Sequence, residues 1–175
     1  MKVKEFEEKL IALLNELAEE KNMMLIGEYA KELIKKRTRL GYGVEKTGDD
    51  KQKLKSLSKS YIDQRKGKIS FITTKAKNII PVKPLSSPKL SPSTSPTKSN
   101  LTKSGSMLDS MSVTSSNGKV RIAPQGSRSD SRFSNEEIAS LVTKQGRPFN
   151  NLAKGDLKQL RDFVSSLLNK LSRKL

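Results

Sequence analysis

The side chains of this chain that could do chemistry are amines, guanidinium groups and carboxylates. Its 175 residues include no histidine and no cysteine. Imidazole general bases, thiol nucleophiles, thiolate metal sites and disulfides are therefore excluded. Catalysis by lysine or by paired carboxylates needs surroundings that shift a pKa, and no pair of carboxylates falls where the pattern reads as buried. Gly41-Tyr42-Gly43 follows no strand signal, so it is no dinucleotide fingerprint, and no phosphate-loop pattern occurs. We expect no enzyme activity, no metal and no cofactor.

What these charges can do is attract anions. The formal net charge is +17, from 35 basic and 18 acidic residues. It is unevenly placed: −3 over residues 1–30, +14 over 31–103 and +6 over 104–175. Lys35, Lys36, Arg37 and Arg39 gather at the end of a helical pattern, and Lys53 and Lys55 follow. This group is the expected DNA- or partner-facing surface. A solvated lysine-rich surface is an equal reading, since charge alone names no partner. The basic middle holds only Tyr42, Tyr61 and Phe71 as aromatics. Base-stacking platforms need several such faces, so sequence-specific single-strand binding is not expected, whereas non-specific contact with duplex phosphate needs only lysine and arginine.

The elements that must carry these groups follow from hydrophobic spacing. Phe6, Leu10, Leu13, Leu14 and Leu17 make a helical stripe over residues 3–20, and the pattern resumes from 23 to 39. One kinked helix and two helices fit equally. Gly41-Tyr42-Gly43 ends it, and Gly48-Asp49-Asp50 reads as a turn. Residues 54–66 read as a helix and 69–72 as a short strand. Pro81, Pro84, Pro88, Pro92 and Pro96 exclude a helix or central strand over 81–98. This stretch is an extended arm or linker, either a spacer or a segment that orders against a neighbouring subunit.

Asn100 or Thr102 is placed to cap a helix running to 111, with Gly105 inside its start as a close helix–sheet contact. Residues 112–115 and 119–123 flank Asn117-Gly118, a strong hairpin signal. Ser134 and Glu137 form a capping box for a helix to 144 or 145, ended by Gly146. Pro148 biases Arg147 to an extended shape and lets Phe149 plug the core. Arg147 is left to pair with Glu137 or to face a partner. A last helix over 156–171 turns Leu157, Leu160, Phe163, Val164, Leu167, Leu168 and Leu171 inward.

The expected class is α+β: N-terminal helices and a long C-terminal helix flank a small antiparallel sheet, with a Pro/Ser-rich arm. Residues 1–80 and 99–175 belong to one domain, and 81–98 interrupt it. Hydrophobic content is 33% and mean hydropathy −0.62, lean for a compact domain, so part of the chain should lack a core of its own. The charged start, without an apolar core segment, carries no secretion signal. No apolar run nears the roughly 20 residues of a membrane span. A soluble protein made in the cytoplasm is expected.

Several motifs occur together in order: Lys36-Arg37-Thr38, Leu40-Gly41-Tyr42-Gly43-Val44, Leu54, Leu57-Ser58, Tyr61, Arg65-Lys66, and the proline-rich stretch. Then come Leu101-Thr102-Lys103-Ser104-Gly105-Ser106-Met107-Leu108, Ile138-Ala139 and Gly146-Arg147-Pro148-Phe149. From about residue 36 onward the chain resembles the neck, or tail-completion, proteins of tailed bacteriophages. It departs from that pattern in its short approach, Lys144-Gln145-Gly146, to the Arg-Pro-Phe element. The resemblance implies a virion protein, assembled in the host cytoplasm, that forms a ring joining head to tail around the DNA channel. It implies as partners copies of itself, portal or adaptor proteins, tail-tube or tail-terminator proteins, and passing duplex DNA without sequence preference; no membrane is implied. Leu101, Thr102, Gly105, Leu108, Ile138, Arg147, Pro148 and Phe149 are its structural markers. The proline-rich arm then serves as a subunit-interface segment. A minor tail protein and a basic non-specific nucleic-acid-binding protein are the alternatives.

Overall fold

A computed structural model describes residues 3–45, 50–66, 71–73, 79–81, 94–101, 105–127 and 132–173. The chain is α+β. In order, its elements are α1 (Val3–Ala18), α2 (Glu20–Arg39), β1 (Tyr42–Val44), β2 (Lys51–Lys53), α3 (Lys59–Arg65), β3 (Phe71–Thr73) and β4 (Ile79–Pro81). Then follow α4 (Ser106–Asp109), β5 (Met111–Ser116), β6 (Lys119–Pro124), α5 (Asn135–Lys144) and α6 (Lys154–Ser172). The strands do not form one sheet. They pair antiparallel as β1 with β2, β3 with β4, and β5 with β6.

The N-terminal pattern resolves into two helices. Glu19, with φ −57° and ψ 142°, leaves the helical region between them. Asn22, itself buried, donates to the Glu16 carbonyl at 2.6 Å and satisfies the end of α1. α2 is the central element. Its Ala30, Leu33 and Ile34 are buried. At Gly27 it meets the β5–β6 hairpin so closely that a Cβ would stand 2.3 Å from Val113 Cγ1 and 2.6 Å from Val120 Cγ1. α6 runs antiparallel beside it: Tyr29 stacks on Phe163 at 4.3 Å, and Arg37 meets Asp156 about two turns further on.

Ile34, Met107, Leu108, Met111, Ala139 and Phe149 make the core, with Leu101, Ile138 and Leu152 packed against it. The hairpin forms in the expected register, Ser116 opposite Lys119. Asn117 (φ 50°) and Gly118 (φ 68°) take the two left-handed positions of a type I′ turn. α5 ends as the glycine signal predicts: the amides of Gly146 and Arg147 bond the carbonyls of Thr143 and Val142.

Four expectations shift. The helix over 54–66 begins only at Lys59. Residues 51–53 pair with β1, and the Leu54 amide bonds the Gly41 carbonyl at 2.8 Å, so pairing displaces the first helical turn. The helix expected from residue 100 spans only Ser106–Asp109. Gly105 precedes it at φ 84°, a left-handed position that favours glycine. Asn100 is no cap: it is fully buried and donates to the Arg39 carbonyl at 3.2 Å. Leu157, expected inward, is 45% exposed.

The capping box at Ser134 is complete. The Ser134 hydroxyl accepts the Glu137 amide at 3.2 Å, and the Glu137 carboxylate accepts the Ser134 amide at 2.8 Å. The backbone bond from Ser134 is the largest cause holding the Glu137 carboxyl below its ordinary value, and the Ser134 hydroxyl adds to it. A lowered folded-state pKa means that its stabilisation is present above the ordinary carboxylate range. The stabilisation is lost as pH falls through the lowered value. Glu137→Gln keeps the box geometry but cannot titrate. Amide exchange across α5, followed from neutral pH into acid, should therefore lose less protection on acidification in the variant than in the parent. Equal acid dependence in both proteins would show that this box is not what titrates.

Candidate functional site

Residues 147–153 are where the two halves of the chain are fastened. The Pro148 carbonyl accepts the Val44 amide at 2.9 Å, so β1 is bonded to β2 on one side and to this turn on the other. Gly43 makes that approach feasible, since a Cβ there would stand 2.1 Å from the Pro148 oxygen. Phe149 is wholly buried in the core, as its sequence context predicts. Arg147 does not pair with Glu137. Its Nε and Nη2 donate to the carbonyls of Lys55 and Ser56, each at 3.1 Å. It ties the run after β2 to the clamp, which satisfies carbonyls that no strand or helix uses.

Arg37 anchors the same turn from the other side. Its guanidinium pairs with the Asp156 carboxylate and donates to the carbonyls of Phe149 and Asn151, both at 2.6 Å. Only 6% of its surface is exposed. Burial is the main cause pulling its pKa below the usual guanidinium value, and Asp156 opposes that shift. Asp156 also accepts the Ala153 amide at 3.0 Å at the start of α6. One carboxylate thus caps a helix and neutralises a buried cation. Arg37 is therefore a structural residue, and its place in the expected DNA-facing group is corrected. That Arg37 turns inward to an acidic partner is not visible from the run Lys35-Lys36-Arg37. The only sequence signal for Asp156 is an acidic residue in the first turn of a helix.

The rest of that basic group divides. The Lys35 amine is largely covered and pairs with Glu32 at 3.1 Å. Arg39 pairs with Asp109 at 2.7 Å. Lys36, Lys53 and Lys55 are exposed, joined by Lys51, whose amine lies 5.1 Å from the Tyr42 ring centre. The outward charge around the end of α2 is thus made by lysines on two elements.

The proline-rich stretch also divides. Pro81 closes the short strand β4, paired with Phe71. Pro84, Pro88 and Pro92, like Thr102 of the signature, lie outside the described residues. Pro96 is half-buried within a segment, residues 94–101, held to the body of this chain. Arg65 donates to the Lys98 carbonyl and the Thr94 hydroxyl, each at 3.1 Å. The Thr94 hydroxyl donates to Asn100 Oδ1 at 2.8 Å, and the Ser99 hydroxyl to the Lys55 carbonyl at 2.6 Å. Burial lowers the Arg65 pKa from its usual value. The far end of the expected arm is thus a strap on its own subunit. The burial of Arg65 and Asn100 is what sequence reasoning missed here, because a charged helix end and an amide in a Ser/Thr/Pro context both read as solvated.

A cleft of about 350 Å³ opens beside the clamp, between the end of α2, β1–β2 and the start of α6. Leu33, Leu40 and Tyr42 supply apolar wall, and Lys36 and Lys51 stand on its basic side with Asp50 as a carboxylate. Among the described residues no group of acidic side chains could hold a metal ion, and no helix is long and apolar enough to cross a membrane. The cleft offers shape and charge for a docking group. Comparison with known proteins gives no matching family model, no matching curated protein and no matching solved structure.

Proposed function

We propose that this chain is a structural protein of a tailed-phage particle, a neck or tail-completion component whose copies form a ring between head and tail. The observation that carries the reading is how the two marker groups, Leu101–Leu108 and Ile138–Phe149, come together. They lie about forty residues apart in sequence, yet Leu101, Met107, Leu108, Ile138 and Phe149 share one core. Four markers of the family resemblance, Leu101, Leu108, Ile138 and Phe149, thus meet in the core of this fold. A lean core and lysines on the outer face suit a subunit that is completed by neighbours and passes close to DNA.

The test is removal of the gene from the phage or prophage that encodes it. Filled heads and separate tails should accumulate, and the purified protein should restore joined particles. Normally joined particles lacking the protein would refute the reading.

A second reading, a basic nucleic-acid-binding protein, is favoured by the net charge of +17. Non-specific binding alone gives a Kd of roughly 10⁻⁴–10⁻⁶ M at physiological salt. A neck protein should stay in that range on duplex DNA of any sequence. Far tighter binding, still steeply salt-dependent, would favour the second reading.

A further inference from the structure

Helix α1 is amphipathic but mostly unpartnered. None of its residues is buried. Its C-terminal half is partly covered through Leu13 and Leu17, whereas every residue from Val3 to Ile11 is exposed. Val3, Phe6, Leu10, Ile11 and Leu14 are 75%, 52%, 43%, 58% and 52% exposed. Their spacing of three, four, one and three residues puts them along one side of the helix. A contiguous apolar stripe of this kind marks an interaction surface. Residues 3–20 carry six glutamates against two lysines, so the stripe is set in an acidic helix. That polarity disfavours an anionic membrane surface, which selects basic amphipathic helices.

The cleft beside the clamp has the complementary character. Its wall is Leu33, Leu40 and Tyr42, and Leu40 remains 62% exposed. Lys36 and Lys51 outnumber the one carboxylate that is not already paired with Arg37, namely Asp50. Lys154 and Lys158 follow on the first turns of α6. Its volume of about 350 Å³ accommodates one or two large apolar side chains. The cleft lies at the C-terminal end of α2 and α1 is rooted at the N-terminal end, roughly 25 Å away at 1.5 Å per residue. The free half of α1 does not cover its own cleft, since all its residues are exposed.

We infer that the acidic, apolar face of α1 docks into the basic cleft of a second copy of this chain, a head-to-tail contact between unlike surfaces. Such a contact repeats from copy to copy and builds a ring when its rotation closes. The inference rests on the ring reading above for what the repeat builds. Charge selects this pairing over α1 against α1, in which acidic helices would face each other.

The chain has no cysteine, so directed cross-linking is clean. Leu10→Cys and Gln159→Cys place thiols on the α1 stripe and on the cleft lining. Mild oxidation of an equal mixture of the two full-length variants should give the mixed dimer as the main product. The double variant should give a ladder of oligomers. Adding Lys36→Glu and Lys51→Glu to the cleft variant should abolish the mixed dimer while circular dichroism stays unchanged. The contact is overturned by a dominant Leu10→Cys homodimer, by intrachain closure of the double variant, or by mixed product no greater than with Ser172→Cys in place of the cleft thiol. The ladder reports the contact wherever the protein works. A ladder from a protein absent from particles refutes the neck reading alone, and a particle protein that forms no ladder refutes the contact alone.

Discussion

Asp156→Ala should lower the stability of the chain by about 3–5 kcal/mol, the cost of leaving one member of a buried ion pair without its partner. The Arg37 guanidinium would keep the carbonyls of Phe149 and Asn151 but lose its only counter-charge among the described residues. The same substitution strips the Ala153 amide of its acceptor at the start of α6. At about 2–4 °C of Tm per kcal/mol for a chain of this size, thermal unfolding should fall by roughly 6–20 °C. Replacing both partners together, Arg37→Met with Asp156→Leu, should recover much of the loss, because an apolar pair needs no desolvation of charge. A single-variant loss under about 1 kcal/mol would mean that the two carbonyls alone carry the guanidinium.

Phe149→Ala should cost a comparable amount, about 3–5 kcal/mol, as expected for emptying a large aromatic site in a close-packed core. Phe149 is wholly buried among Ile34, Met107, Leu108 and Ala139. Its neighbouring carbonyls also hold Arg37 and β1. Phe149→Leu should retain most of the stability, since it leaves a smaller void. Chemical denaturation of the three proteins separates these outcomes. Alanine and leucine variants of equal stability would show that the turn is held by its backbone bonds and not by the ring. Phe149 and Asp156 act on one turn through Arg37, so their double variant should be non-additive.

Much of this arrangement is legible before any coordinates. Hairpin, capping box, Gly146 stop and Phe149 plug are local devices, each written within a few residues. They form as read because their chemistry is local. What the sequence conceals is long-range. Arg37 and Asp156 are separated by 119 positions, and a basic run at the end of a helix looks like surface. Strand β2 is Lys-Gln-Lys, fully exposed and without a β-forming residue. It exists because β1 offers it a ladder, as tertiary pairing overrides propensity. Asn100, in a Ser/Thr/Pro-rich context, and Arg65, at the end of a polar helix, are nonetheless buried, because Arg65 donates to the Lys98 carbonyl of the 94–101 strap and Asn100 to the Arg39 carbonyl of α2. The cleft and its lysines belong to the second kind of feature.

The division of labour between the two kinds of basic side chain has a consequence of its own. Among 35 basic residues only nine are arginine. Arg37, Arg65 and Arg147 act as internal stitches on backbone carbonyls, while Arg39 and Arg121 answer Asp109 and Glu136. The planar fork of arginine suits stitching, whereas the flexible, well-hydrated amine of lysine suits solvent. Acetylating the amines would therefore turn the formal net charge from +17 to −9 and leave the stitches in place. The chain could be reversed in the sign of its charge and still keep its shape.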